Sequence, residues 1–226
     1  ERLKRTFHTK YWNGNFYISP HYKGKPDDRA QALAIVAGVL PESEYPVIRP
    51  FFKQQYHASP YMEKYVLEAL CMMGYYEDAL ERMKKRYHDM VETDLTTLWE
   101  GWGIGSKGFG GGSYNHAWSG GPLTILSQYF AGISSLKPAF KEFVIKPVFD
   151  CFKHVHSITP TKWGKIELNI ADELNVRVAD VEIPRNTKGY FVLPDGIEKY
   201  RINGKEKIAK KGIIVLKEGI WKIEFY

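Results

Sequence analysis

The hydrophobic pattern of this chain changes period part-way along. Up to about Ala131, apolar residues recur three and four positions apart, as in amphipathic helices. Asp27-Asp28-Arg29 opens one segment with acids suited to the positive end of a helix. Ala30–Ala37 continues it, and Gly38 and Pro41 stop it. A second helix is expected from Ser43 to about Gln55, with Pro46 and Pro50 disturbing its start and course. A third starts at Ser59-Pro60, where Ser suits the cap and Pro the first turn, and runs to Gly74. A fourth covers Tyr76 to about Met90, with Ala79, Leu80, Met83 and Tyr87 on one face. A fifth follows Pro122, with Leu123, Ile125, Leu126, Tyr129 and Phe130 at helical spacing until Gly132.

After Lys137-Pro138 the period becomes two. Strands are expected at Glu142–Lys146, Lys165–Ile170, Asn175–Val178, Tyr190–Leu193, Ile213–Leu216 and Trp221–Phe225, with turns at Pro194-Asp195-Gly196, Asn203-Gly204 and Glu218-Gly219. Short antiparallel strands at this spacing predict a β-sandwich. The chain therefore divides into a helical domain over residues 1–137 and a β-sandwich over 138–226. His154 and His156 alternate on one side of a strand; two-residue spacing without a third ligand favours surface packing over a metal site.

In an up-down helical array, alternate connections emerge at the same end. The long loops Thr9–Pro26 and Val91–Gly121 and the brief Tyr56–Ala58 link fall on one such end. Loops carry chemistry on a rigid scaffold, so this is the expected working face. It gathers Trp12, Tyr17, His21, Asp27, Asp28, Tyr56, His57, Trp99, Glu100, Trp102, Asn115, His116 and Trp118.

Composition narrows the chemistry. Aromatic residues make up 15% of the 226, enough for rings to line a binding surface. The net charge of +6 raises the question of nucleic acid. However, Lys84-Lys85-Arg86 sits in an amphipathic helix, while Lys205, Lys207, Lys210 and Lys211 punctuate turns in the strand-rich part. Such residues solvate a surface, and no nucleic-acid partner is expected. Cys71 and Cys151 lie far apart without a CxxC neighbour and read as buried thiols. No apolar run is long enough to span a bilayer, so a soluble protein without a membrane partner is expected.

The sharpest motif is Thr96-Thr97-Leu98-Trp99-Glu100-Gly101-Trp102, a carboxylate between two indoles, followed after a Gly-rich stretch by Asn115-His116-Ala117-Trp118. Sugar chemistry needs these parts. Flat apolar faces pack on a pyranose ring, and a carboxylate handles a proton or an attacking water. The alternative reading is tryptophans filling a core beside a solvated Glu100.

With its surroundings, the motif resembles a known family. Thr-Thr-Leu-Trp-Glu-x-Trp, a Gly-rich insert, Asn-His-Ala, a helix closing in Tyr129-Phe130-Ala131-Gly132-Ile133, and Phe140-x-x-Phe143-x-Ile145-x-Pro147 look like the C-terminal part of bacterial α-L-rhamnosidases of glycoside hydrolase family 78. The likeness runs from about Phe7 to the end and is most specific over Thr96–Ile145. It implies a mainly α fold, an incomplete (α/α)6-like segment of a six-hairpin toroid followed by the β-sandwich. The implied activity is hydrolysis of terminal α-L-rhamnose, or a related deoxysugar, with inversion. By the same resemblance Glu100 corresponds to the general base and His116 to a histidine that bonds a sugar hydroxyl. Trp99 and Trp102 flank the base, one to stack on sugar and the other to pack. Trp12, Tyr17 and Asp28 are further candidate substrate contacts.

An inverting pair of carboxyls stands roughly 6.5–9.5 Å apart to admit a water, yet nothing in this sequence matches the family's general acid. Asp27 and Asp28 are better read as helix caps than as proton donors. The expected partners are a rhamnose-containing oligosaccharide or glycoside and either the missing N-terminal hairpins or a second copy of the chain. No cofactor or metal is implied. The chain begins at Glu1 without Met, as expected of a piece of a longer product; a bacterial, extracytoplasmic location is compatible with the resemblance. Two alternatives stand beside the hydrolase: a carbohydrate-binding homologue lacking the acid, and an assembly module with no sugar affinity.

Overall fold

The computed structural model describes residues 1–103, 112–173, 176–209 and 212–226. Most of the Gly-rich insert, Asn175 of an expected strand, and Lys210 and Lys211 lie outside the described residues. Two compact units are formed, Glu1–Ile125 and Leu126–Tyr226.

The first unit is helical: α1 (Arg2–Tyr11), α2 (Asp28–Val36), α3 (Tyr45–Gln54), α4 (Pro60–Met72), α5 (Tyr76–Glu92) and α6 (Gly121–Ile125). Helix α1 is additional to the expected helices; it has no capping side chain and buries no residue, although Leu3, Phe7 and Tyr11 recur four apart along it. The expected caps form at the next two starts that carry them. Asp27 Oδ1 accepts the Arg29 N–H at 2.9 Å, and Ser59 Oγ accepts the Met62 N–H at 3.4 Å. Helix α4 is central, packing against α2, α5 and α6. Its Val66, Leu67, Ala69, Leu70 and Cys71 are buried. Helix α6 meets it through Gly121, where an added Cβ would lie 2.5 Å from Lys64 Cβ.

A charged knot ties these helices together. Arg82 of α5 is buried and donates to Glu63 of α4, to Asp28 of α2 and to the carbonyls of Phe52 and Gln55. One turn on, Arg86 donates to the carbonyls of Tyr56 and Ala58 and lies 3.7 Å from Glu63. Two carboxylates face two guanidiniums. Burying any of these charges alone would cost several kcal/mol, so the pairing decides whether α2, α4 and α5 can meet here. The guanidiniums also fix the link between α3 and α4.

The second unit opens with a π-helical turn, Leu126–Phe130, and then forms β1 (Ile133–Ser135), β2 (Glu142–Ile145), β3 (His154–Thr161), β4 (Gly164–Glu173), β5 (Val176–Val192), β6 (Lys199–Ile202), β7 (Lys205–Ile208) and β8 (Ile213–Phe225). The hydrogen-bonded order is β1-β2-β5-β8-β6-β7, with β3 and β4 attached through β5. This corrects the expected all-antiparallel pairing. The strands form a mixed sheet, because β2 pairs with β5 in parallel. Two expected pairs of short strands are in fact single long ones, β5 and β8. The expected turn at Glu218-Gly219 is a bulge in their ladder, with Ile183 opposite Gly219 and Lys188 opposite Lys217. Between these pairs, Pro184–Thr187 stand opposite Glu218, whose Oε2 accepts the Asn186 N–H at 2.9 Å. Gly219 adopts φ +127°, open to glycine and costly for other residues. Before the bulge β5 pairs with β4, and after it with β2. Phe143, Ile145, Ile166, Leu168, Phe191, Leu216, Ile223 and Phe225 supply the core. The Asn203-Gly204 turn joins β6 to β7 as expected, with positive φ at both residues.

Candidate functional site

Beyond α5, the segments on either side of residues 104–111 are stitched to each other. The Glu100 N–H donates to the Ser113 carbonyl at 3.0 Å, and the His116 N–H donates to that of Leu98 at 2.8 Å. Thr97 Oγ1 donates to the Tyr114 carbonyl, and the buried Ser119 hydroxyl to that of Trp99. Backbone pairing thus sets Glu100 beside His116.

The side chains meet at the same place. Glu100 Oε2 accepts the Ser113 N–H at 2.9 Å and lies 3.6 Å from His116 Nδ1. The Ser113 hydroxyl shares a hydrogen bond with that nitrogen at 3.0 Å. Among the described residues Glu100 Oε1 takes no hydrogen bond. The side chains of Glu100 and His116 keep 31% and 32% of their surface exposed, so both are reachable from outside. Among the described residues one carboxylate oxygen is thus held by a hydrogen bond and the other is not.

The indoles divide their tasks. Trp102 is tied down: its Nε1–H donates to the Ala58 carbonyl at 2.6 Å, Arg86 lies 4.0 Å above its ring, and the Tyr87 ring meets it edge-on at 4.9 Å. Ala58 also accepts from Arg86, so the charged knot, the α3–α4 link and Trp102 form one support. Trp99 packs edge-on against Tyr114 at 5.6 Å, its indole N–H buried without an acceptor among the described residues. The exposed indole beside the acid–imidazole pair is instead that of Trp118, whose ring centroid is 4.1 Å from that of His116 and 5.4 Å from that of Tyr61.

The other expected site residues sit elsewhere. Asp28 is fully buried: Oδ2 takes Arg82 at 2.6 Å and Oδ1 takes the His57 N–H at 3.1 Å, so it acts as a structural anion. Asp27 caps α2 and pairs with Arg29, whose guanidinium holds its carboxyl below the usual range. Tyr17 is buried, with its N–H and carbonyl both bound by the Gln31 amide and its hydroxyl 2.7 Å from His8 Nδ1. Burial, helped by the charge of Glu44, pushes its phenol up to about 12. Trp12 packs on Tyr17 at 5.1 Å and on His8 at 5.8 Å. Tyr17 also lines a separate cavity of about 450 Å³ with Phe7, Tyr11, Tyr22, Lys25 and Asp27. No described contact joins this cluster to Glu100. In the β unit, His154 bonds Asn169 and His156 bonds Glu167, each at 2.8 Å across the β3–β4 ladder. Among the described residues no group of three or more His, Cys, Asp or Glu is arranged to hold a metal ion.

Ser113 was missed because a serine in a Gly-rich stretch carries no signal of its own. Trp118 stood in the expected working face but received no role. Its place two residues after His116 was the available cue.

Comparison with known proteins agrees with this architecture. Residues 132–209 match the family described as "Bacterial alpha-L-rhamnosidase C-terminal domain". The alpha-L-rhamnosidase of Dictyoglumus thermophilum is 20% identical with a TM-score of 0.81, over 99% of this chain and 28% of that one. The Streptomyces avermitilis enzyme, solved in complex with L-rhamnose, is 18% identical with a TM-score of 0.75, over 99% and 23%. The Aspergillus terreus enzyme is 17% identical with a TM-score of 0.68, over 95% and 26%. No curated protein matches the chain in sequence. At these identities the solved structures establish the fold, and this chain spans about a quarter of their length. Helices followed by a mixed sheet is thus an arrangement found in α-L-rhamnosidases. Residues 132–209 carry the C-terminal domain of the bacterial family, and the resemblance read from the sequence holds.

Proposed function

We propose that this chain forms part of a glycoside hydrolase that cleaves terminal α-L-rhamnosyl linkages, or those of a related deoxysugar, with inversion, and that Glu100 is its general base. The observation that carries the proposal is the held-and-free carboxylate. Oε2 is fixed by the Ser113 N–H beside His116, and Oε1 takes no hydrogen bond among the described residues, in a side chain that keeps 31% of its surface exposed beside the imidazole on which Trp118 packs. A water on Oε1 gives up a proton as its oxygen attacks the anomeric carbon, and the bond from that carbon to the leaving oxygen breaks. A general acid on the opposite face protonates that oxygen. His116 bonds a sugar hydroxyl, and Trp118 offers the apolar face on which the pyranose ring rests.

In this reading the acid and the remaining hairpins of a six-hairpin toroid come from elsewhere in the enzyme, and the helical unit docks against them. The substrate is a rhamnose-containing glycoside. Glu100→Gln in the full-length enzyme keeps the shape of the side chain and removes its basicity. We expect kcat on an aryl α-L-rhamnoside to fall by about a hundredfold or more, with the thermal midpoint near wild type. Unchanged turnover would remove the assignment. Rhamnoside binding by the wild-type enzyme without any hydrolysis would mark a carbohydrate-binding homologue instead.

A further inference from the structure

Ser113 has two contacts that point the same way. Its backbone N–H holds Glu100 Oε2 at 2.9 Å, and its hydroxyl meets His116 Nδ1 at 3.0 Å. The same imidazole nitrogen lies 3.6 Å from Oε2. A neutral imidazole bears its proton on one nitrogen only, and its neighbours choose which. A bare lone pair on Nδ1 facing a carboxylate oxygen would be repelled; an N–H there would be attracted. The serine oxygen, at hydrogen-bonding distance, is placed to accept such an N–H. Ring orientation is fixed as well, since the Trp118 ring packs 4.1 Å from the imidazole and the His116 N–H is tied to Leu98.

We propose that Ser113 is a positioning residue that, together with the Glu100 carboxylate, keeps the neutral His116 imidazole in the Nδ1–H form. Nε2 is thereby left as a hydrogen-bond acceptor for a sugar hydroxyl. The function of this arrangement rests on the hydrolase reading above, but the tautomer does not. It specifies the polarity of the contact: the bound hydroxyl donates to the histidine and stays free to accept a bond from elsewhere. A deoxygenated or O-methylated sugar at that position lacks the donor and loses the contact.

Two measurements separate this inference from the hydrolase assignment. The first uses the chain itself, labelled with ¹⁵N-histidine, at a pH well above the ordinary imidazole range. Long-range ¹H–¹⁵N correlation is expected to show His116 protonated at Nδ1 and bare at Nε2; a proton on Nε2 with Nδ1 bare would overturn the proposal whether or not the enzyme cleaves rhamnosides. The second compares Ser113→Ala and Ser113→Thr in the full-length enzyme on 4-nitrophenyl α-L-rhamnopyranoside. Loss of the hydroxyl should mix the tautomers and lower kcat/KM by about ten- to a hundredfold, and threonine should restore both. A Ser113→Ala enzyme with an unmixed Nδ1–H imidazole would remove the serine from its role. If Ser113→Ala does not fold, the wild-type tautomer and the threonine variant still decide the matter.

Discussion

At the scale of single residues, the buried arginine of α5 illustrates how much one side chain can organise. Arg82 uses its planar fork to reach two carboxylates and two carbonyls on three segments at once, with 3% of its side-chain surface exposed. Arg82→Ala would leave Asp28 and Glu63 buried with their compensating charge reduced to Arg86. We expect a loss of about 3–5 kcal/mol in urea unfolding, enough to lower the yield of folded protein. Arg82→Lys should recover little of it, since a point charge on a flexible stem cannot satisfy four acceptors in one plane. A lysine variant of wild-type stability would show that charge alone suffices. The same residue explains Asp28. An acid at a helix start next to a long aromatic loop reads as a ligand contact, and its actual partner lies 54 positions away in the chain.

At the scale of elements, the parallel β2–β5 pair is secured at its edge by Glu142. This residue accepts from Lys137 Nζ at 2.6 Å and from the Tyr190 hydroxyl at 2.9 Å, and Lys188 stands 3.5 Å away. These contacts, the Lys137 bond first, bring its carboxyl down from 4.5 to about 2. A folded-state value below the unfolded one means that the contribution is fully present above about 4.5 and fades as the pH falls toward about 2. The thermal midpoint of wild type should therefore exceed that of Glu142→Gln at neutral pH, and the gap should close across this window. The difference should also shrink with added salt, as expected for an exposed pair. A gap unchanged at the acid end would show that the carboxylate's charge plays no part. Helix α1 and the long strands teach a related lesson. Helix α1 carries Leu3, Phe7 and Tyr11 four residues apart, a stripe legible in the sequence, yet it buries no residue. A Gly-containing turn signal inside β8 is indistinguishable from a bulge until its partner strand is known.

At the scale of the whole chain, each unit exposes large apolar side chains. In the helical unit Leu3, Val91 and Leu123 are 81%, 74% and 75% exposed. In the β unit Ile213 and Val215 project from one side of β8, with Ile208 and Ile220 also exposed. Apolar side chains exposed to this degree favour a covering partner. We expect the isolated chain to self-associate in a concentration-dependent way in sedimentation velocity, and not to hydrolyse an aryl rhamnoside. A monomer at every concentration tested, or turnover by the isolated chain, would contradict the proposal that other hairpins complete it.

The sequence by itself determined what is local. Capping residues and hydrophobic spacing placed α2, α4 and α5, and Asn203-Gly204 marked the turn between β6 and β7, two strands that the period did not reveal. The Trp-Glu-Gly-Trp and Asn-His motifs singled out a carboxylate and an imidazole that now stand 3.6 Å apart. Only the tertiary structure decided what depends on distant partners. It made Asp28 a structural anion, tied Trp102 down while leaving Trp118 exposed, merged four expected strands into β5 and β8, and turned one ladder parallel. The reason is physical: caps and periods act within a turn or two of chain, whereas burial, ion pairing and strand order depend on neighbours that sequence spacing does not reveal.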